Sequence, residues 1–292
     1  MRYCLLIPLL ETNGVSIQIS HLNFFFLTLS IVLLAAAGYI INDINDVEPD
    51  KVNKPEKVIV GKNISAKSAE AIYMVINAVA IGLGIYISYS IKIQSVSISF
   101  VLVAGLLYFY SGTYKGQLIL GNLMVSIFAA FVPILVLLFE LPLLKAKYSF
   151  FISSNFNFNF LIAWFGFYAL FAFLTNLIRE IIKDIEDFEG DSAFGQNTLP
   201  VKFGAQIAKY VVISLITITT ILVIYILFKY LHDIFTIVFA IPFIIGPLVY
   251  LWSIVFKAKE KKDYTWASKV SKYIMVAGVM YIFLVKFILL NH

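Results

Sequence analysis

"LNFFFLTLSIVLLAAAGYII", residues 22–41, holds twenty residues without a charge, and "NDINDVEPD", residues 42–50, follows with four acids: Asp43, Asp46, Glu48 and Asp50. The first stretch decides the fold. A helix rises about 1.5 Å per residue, so about twenty apolar residues cross a hydrocarbon core of roughly 30 Å. Comparable stretches recur at approximately Ser68 to Ser90, Val96 to Tyr114, Leu118 to Leu144, Phe160 to Ile182, Ile207 to Phe228, Ile234 to Phe256 and Tyr273 to Leu290. With Leu22 to Ile41 they make eight spans. They are expected to be helices, because a strand in lipid would leave an unpaired edge. The composition agrees: 61% of the 292 residues are hydrophobic and 13% charged, against roughly 25% charged in a soluble domain. The fold class is all-α, a polytopic membrane helix bundle.

A shorter apolar piece, Tyr3 to Leu10, precedes the first span. It is too short to cross and lacks a small-residue cleavage site, so it reads as the remaining half of a first helix rather than a signal peptide. Cys4 is the sole cysteine, which excludes an internal disulfide and a cysteine-rich metal site. The net charge of +5 does not point to nucleic acid, because the lysines alternate between loops. Fifteen fall after the first, third, fifth and seventh spans, among them Lys51, Lys62, Lys115, Lys202, Lys257, Lys261, Lys262, Lys269 and Lys272; the other loops carry four, Lys92, Lys145, Lys147 and Lys229. That is a positive-inside pattern and places the rich loops in the cytoplasm of a cell (inner) membrane. His21, His232 and His292 then read as interfacial. Nothing in the sequence asks for an obligate protein partner.

The two long cytoplasmic loops resemble each other. Asp43, Asp46 and Asp50 stand three and four residues apart, and Asp184, Asp187 and Asp191 repeat the spacing. The chain therefore reads as one domain, 1–292, in two related halves of about 1–140 and 141–292. On a helix turning about 100° per residue, each triplet falls within about 60° and extends its span as one acidic stripe. Carboxylates crowded beside a low-dielectric region repel one another unless a cation joins them. Hard oxygen ligands without Cys or His point to Mg²⁺, with Mn²⁺ as the alternative, and Mg²⁺ fills its octahedron with phosphate oxygens and water. A phosphorylated substrate is the expected third party.

These loops resemble the UbiA superfamily of intramembrane prenyltransferases. Asn42-Asp43-x-x-Asp46-x-x-x-Asp50 is similar to that family's first aspartate signature, and Asp184-x-x-Asp187-x-x-x-Asp191 with "NTLPVKFG", residues 197–204, to its second. "YSGTYK", residues 110–115, and Gly121-Asn122 resemble the segment between. The resemblance implies nine helices around a lipid-open cavity, both acidic loops capping it. It implies an enzyme that binds a prenyl diphosphate, geranylgeranyl or similar, through Mg²⁺ and passes the prenyl group to a lipophilic acceptor in the bilayer.

Carried onto this sequence, it makes Asn42, Asp46, Asp50, Asp187 and Asp191 metal-site residues, with Asp43 and Asp184 beside them. Tyr110 and Lys115 would contact the diphosphate or polarise the reacting end; Lys115 also reads as a topology anchor. The Tyr110 to Lys115 spacing is one residue longer than the family's Tyr-x-x-x-Lys, which leaves Tyr108 and Tyr114 open as alternatives. Lys54, Lys57, Arg179, Lys183 and Asn122 are the substrate-binding candidates. Arg179 can grip a phosphate through its fork or pair with Glu180 or Asp184. Asn53, Pro55 and Gly61 read as loop-shaping residues.

The wording of both loops is most similar to the branch that passes geranylgeranyl to geranylgeranylglyceryl phosphate in ether-lipid synthesis. The alternative acceptor is an aromatic quinone precursor such as 4-hydroxybenzoate or dihydroxynaphthoate. A reading of another class, a cation or phosphate transporter, also puts acids at membrane-helix ends; against it, the spans carry no paired Gly/Pro breaks around the aspartates.

Overall fold

The computed structural model describes residues 1–53, 55–148 and 158–291. Among them, eight helices are long and apolar enough to cross a membrane: α1 (His21–Asn45), α2 (Ala66–Ser90), α3 (Gln94–Tyr114), α4 (Leu120–Tyr148), α5 (Phe158–Glu186), α6 (Ala205–Tyr230), α7 (Ile234–Lys257) and α8 (Lys261–Asn291). Each outruns the apolar stretch that announces it, because helix ends are set by capping groups rather than by the last apolar residue. Ser20 and Ser65 open α1 and α2 by accepting from the Asn23 and Ser68 N–H at 3.1 Å, and Asp233 opens α7 by accepting from that of Thr236 at 2.7 Å.

The largest correction falls on α8. It starts at Lys261, not near Tyr273, so Lys261, Lys262, Lys269 and Lys272 stand on its first turns instead of in a loop. Lysine is a good helix former, and its long stem lets the ammonium reach water from the flank of a helix. A charge count therefore cuts such a helix short.

The chain divides into two compact units. The first comprises Ile19–Gly121 with Glu189–Thr198, so it holds α1 to α3 and the end of the second acidic loop. In it α1 and α2 approach closely: Ser30, fully buried, donates to the Ala80 carbonyl at 2.7 Å. Small residues permit such contact where lipid offers no hydrophobic drive. Gly84 of α2 lies under the Phe100 ring, where a Cβ would stand 2.3 Å from a ring carbon. Two short strands, β1 (Gln117–Leu118) and β2 (Asn197–Thr198), pair in parallel, Gln117 opposite Asn197.

The second unit comprises Met1–Gln18, Asn122–Phe188 and Leu199–His292. The apolar stub is helical, as Arg2–Leu6 and Ile7–Glu11, and its Leu5, Leu6 and Leu10 pack with Leu144, Leu161 and Phe165 in a core from which solvent is excluded. Arg2 is buried with them and meets Glu140 of α4 at 3.5 Å, and Glu140 also accepts from the Gln18 backbone N–H.

Candidate active site

The acidic triplets do not ride on unbroken helices. α1 stops at Asn45, Asp46 takes φ −93° and ψ 3°, and a new helix runs Val47–Asn53. In the second loop α5 stops at Glu186, Asp187 lies in a turn, and a helix runs Phe188–Ala193. The expected stripe is thus cut at its middle aspartate, in the same place both times. In the first loop Pro49, which has no N–H to return to the Asn45 carbonyl, favours the break; the second loop breaks without a proline. The new helices carry Glu48 and Asp50, and Glu189 and Asp191, in their first turns, where carboxylates are favoured by the helix dipole.

In the first unit the break aims Asp46 at Lys115. The ammonium forms a salt bridge to the Asp46 carboxylate, and the Asn42 amide donates to the same oxygen at 2.7 Å. Lys115 is placed by a distortion of α3: residues Tyr110–Tyr114 form a π turn in which the Lys115 N–H donates to the Tyr110 carbonyl at 2.8 Å. A π turn absorbs one extra residue in a helix, and the Tyr110 to Lys115 interval carries one residue more than the usual motif. Tyr108 is half exposed and packs its ring against Tyr73 and Phe109.

The end of the second acidic loop belongs to the same unit. Asn53 accepts from the Gly190 N–H at 3.0 Å, 137 residues away in sequence. Gly190 is required there, since a Cβ would stand 2.3 Å from the Asn53 side chain. Asp191, buried, accepts from the Thr198 hydroxyl at 3.4 Å, and the Asn197 N–H donates to the Gly116 carbonyl at 2.7 Å. The result is a polar cavity of about 460 Å³ lined by Asn45, Asp46, Ser111, Lys115, Gln117, Gln196 and Asn197. Asn45 and Ser111 hold each other at 2.9 Å. Sequence reading passed over Asn45, Ser111 and Gln196 and took Asn53 for a loop former; the second Asn of Asn42-Asp43-Ile44-Asn45-Asp46 was the one available signal.

In the second unit, Asp184 accepts from Asn122 at 2.7 Å, and Ser126 supports Asn122 by donating to its carbonyl at 2.6 Å. Asn122 thus meets an aspartate of the acidic motif. Glu180 gathers both nearby cations, Arg179 at 2.6 Å and Lys183 at 3.1 Å. Arg179 thus makes the ion pair with Glu180 that was one of its two expected roles. Lys54, the Lys57 side chain and His292 lie outside the described residues.

Among the described residues no three Asp, Glu, His or Cys side chains gather around one point. Within their own units Asp46, Asp184 and Asp191 each face a donor, which offsets the repulsion of crowded carboxylates. The donor set itself fits Mg²⁺. Asp46 offers hard carboxylate oxygens with the Asn42 amide beside them, the cavity lining adds amides and hydroxyls, and no thiol or imidazole is among them.

Comparison with known proteins agrees with the geometry. The chain is 32% identical over 251 residues to the digeranylgeranylglyceryl phosphate synthase of Saccharolobus solfataricus, covering 85% of this chain and 78% of that one. A solved structure of digeranylgeranylglyceryl phosphate synthase in membranes superposes with TM-score 0.59 at 21% identity over 95% of this chain and 91% of that one. A UbiA homologue from Archaeoglobus fulgidus, bound to DMAPP and Mg²⁺, superposes with TM-score 0.53 at 19% identity over 96% and 94%. The model of the UbiA prenyltransferase family matches residues 9–281. A polytopic membrane enzyme that transfers prenyl groups, this chain belongs to the UbiA prenyltransferase family.

Proposed function

We propose that the protein transfers a geranylgeranyl group from its diphosphate to geranylgeranylglyceryl phosphate, forming the second ether of a membrane lipid. The observation that carries this reading is the polar cavity where Asp46 meets Lys115 beside the Gln196–Asn197 wall. The relative from Saccharolobus solfataricus carries the corresponding name, and the homologue from Archaeoglobus fulgidus is bound to a prenyl diphosphate and Mg²⁺.

In this reading Asn42, Asp46, Asp50, Asp187 and Asp191 hold Mg²⁺, with Asp43 and Asp184 beside them, and Mn²⁺ is a candidate substitute. Bound Mg²⁺ neutralises the diphosphate and makes it a better leaving group. Lys115 exchanges its partner Asp46 for a diphosphate oxygen and stabilises the charge that grows there as the allylic C–O bond breaks. Tyr110, one π turn away, presents an aromatic face to the allylic cation without supplying a nucleophile. The acceptor hydroxyl oxygen bonds to the allylic carbon as the bond to the diphosphate breaks, and its proton passes to the pyrophosphate that departs. Asn122, through Asp184, is a positioning residue; Lys54, Lys57, Arg179 and Lys183 attract the phosphates. The acidic loops face the cytoplasm, following the lysine alternation, and the matching breaks at Asp46 and Asp187 are what two related halves of one domain would produce.

The test is a purified-enzyme assay with geranylgeranyl diphosphate and a mixed acceptor pool of geranylgeranylglyceryl phosphate, 4-hydroxybenzoate and dihydroxynaphthoate. The diether phosphate is expected by mass spectrometry with stoichiometric pyrophosphate, only when Mg²⁺ is present. Asp46→Ala is expected to lower turnover by at least about 10²-fold. A prenylated aromatic product would overturn the acceptor assignment.

A further inference from the structure

Two links tie the end of α1 to the π turn of α3, and they run side by side. One is charged, the salt bridge between Asp46 and Lys115; the other is neutral, a 2.9 Å hydrogen bond from the Asn45 amide to the Ser111 hydroxyl. Their partners are matched along both segments. Asn45 directly precedes Asp46, and Ser111 stands four residues before Lys115, which puts the serine and the lysine on one side of the turn, within about 40°. All four residues line the polar cavity of about 460 Å³.

The two links differ in what they leave for a ligand. Lys115 and Asp46 answer each other, so the lysine reaches an anion only by leaving the aspartate. Asn45 gives one amide proton to Ser111, and an asparagine amide carries two. Asn45 is also exposed on the cavity wall, whereas Ser111 and Asp46 are buried. An exposed side chain is ordinarily free to turn in water. Here the bond to a serine 66 residues away fixes the amide, and a group held beforehand loses less freedom when a ligand arrives. Both residues stand at unspecified positions of the motifs, which is why motif reading passes over them.

We propose that Asn45 is a substrate-binding residue for the diphosphate: its second amide proton donates to a diphosphate oxygen beside Lys115, and Ser111 is the positioning residue that holds the amide in that direction. The proposal rests on the reading that this cavity takes a prenyl diphosphate. The neutral link stays closed throughout, so the end of α1 remains tied to the π turn while Lys115 changes partner.

Calorimetric titration of the purified full chain with inorganic pyrophosphate at saturating Mg²⁺ tests it, because pyrophosphate presents the same oxygens without a prenyl chain. Asn45→Ala should weaken pyrophosphate at least about tenfold, the loss of one hydrogen bond to a charged group. Asn45→Asp should weaken it further, since a carboxylate has no proton to give and repels the anion. Ser111→Ala should weaken it about threefold, the donor being present but no longer held. The double variant should bind no worse than Asn45→Ala alone, because Ser111 acts only through the amide. Unchanged binding in Asn45→Ala would overturn the proposal and leave the diphosphate reading standing. Parent-like binding in Asn45→Asp would also overturn it, because the side-chain oxygen would then be holding Mg²⁺. Additive losses in the double variant would overturn the role given to Ser111. A parent protein that binds no pyrophosphate would overturn the diphosphate reading as well.

Discussion

Lys115 and Asp46 are close enough to neutralise each other and exposed enough to part, with side chains 30% and 11% accessible. In the proposed mechanism the half-wet lysine leaves the buried Asp46 for the diphosphate. Lys115→Met is expected to lower kcat/KM by about 10² to 10³, the range for losing one charge-stabilising donor, with an unchanged melting temperature; pyrophosphate release at saturating Mg²⁺ measures it. Gly190 acts by what it lacks. A methyl group there collides with Asn53 and disturbs the 3.0 Å bond that seats the turn before Asp191. Gly190→Ala should raise the Mg²⁺ concentration needed for half-maximal activity, and adding Asn53→Gly should recover part of the loss, because the collision then has no partner. Equal and additive defects in the two single variants and the double variant would show that the contact does not couple them.

At the scale of elements, the eight spans were legible because the hydrocarbon core imposes length and polarity together. Where that constraint ends, the reading failed. The start of α8 was missed because its first turns are lysine-rich, and the helix breaks at Asp46 and Asp187 were missed because aspartate spacing alone fits an unbroken helix as well as a broken one. Asn53 could not be matched with Gly190 because nothing local couples residues 137 apart. The π turn in α3 was half legible: the long Tyr110 to Lys115 interval was visible, but not that the helix would hold it as a bulge. Deleting Thr113 should convert the bulge into regular helix, shorten the interval and swing Lys115 by about 100° relative to Tyr110. Circular dichroism should remain that of the parent while prenyl transfer is lost. Retained transfer would mean that the bulge does not set the lysine.

The whole molecule must put both acidic loops on one face of the membrane, since substrate phosphates do not cross it. That follows if the chain crosses an even number of times between Asp46 and Asp187, and the four helices α2 to α5 meet the requirement. The lysines predict which face: fifteen at or near alternate span ends against four at the others is the pattern of a rich side that faces inward. The prediction can be read with cysteines in a Cys4→Ser background. Ser95→Cys, in the first turn of α3, and His232→Cys, between α6 and α7, both exposed at lysine-poor span ends, should react with a membrane-impermeant maleimide on intact cells, whereas Lys62→Cys and Lys262→Cys, also exposed, should react only after permeabilisation. Reversed labelling would put the acidic loops outside, where cytosolic prenyl diphosphates do not reach them. Labelling that differed within either pair would mean that a helix between its members does not cross, and if that helix is one of α2 to α5 the shared face that the chemistry requires is lost.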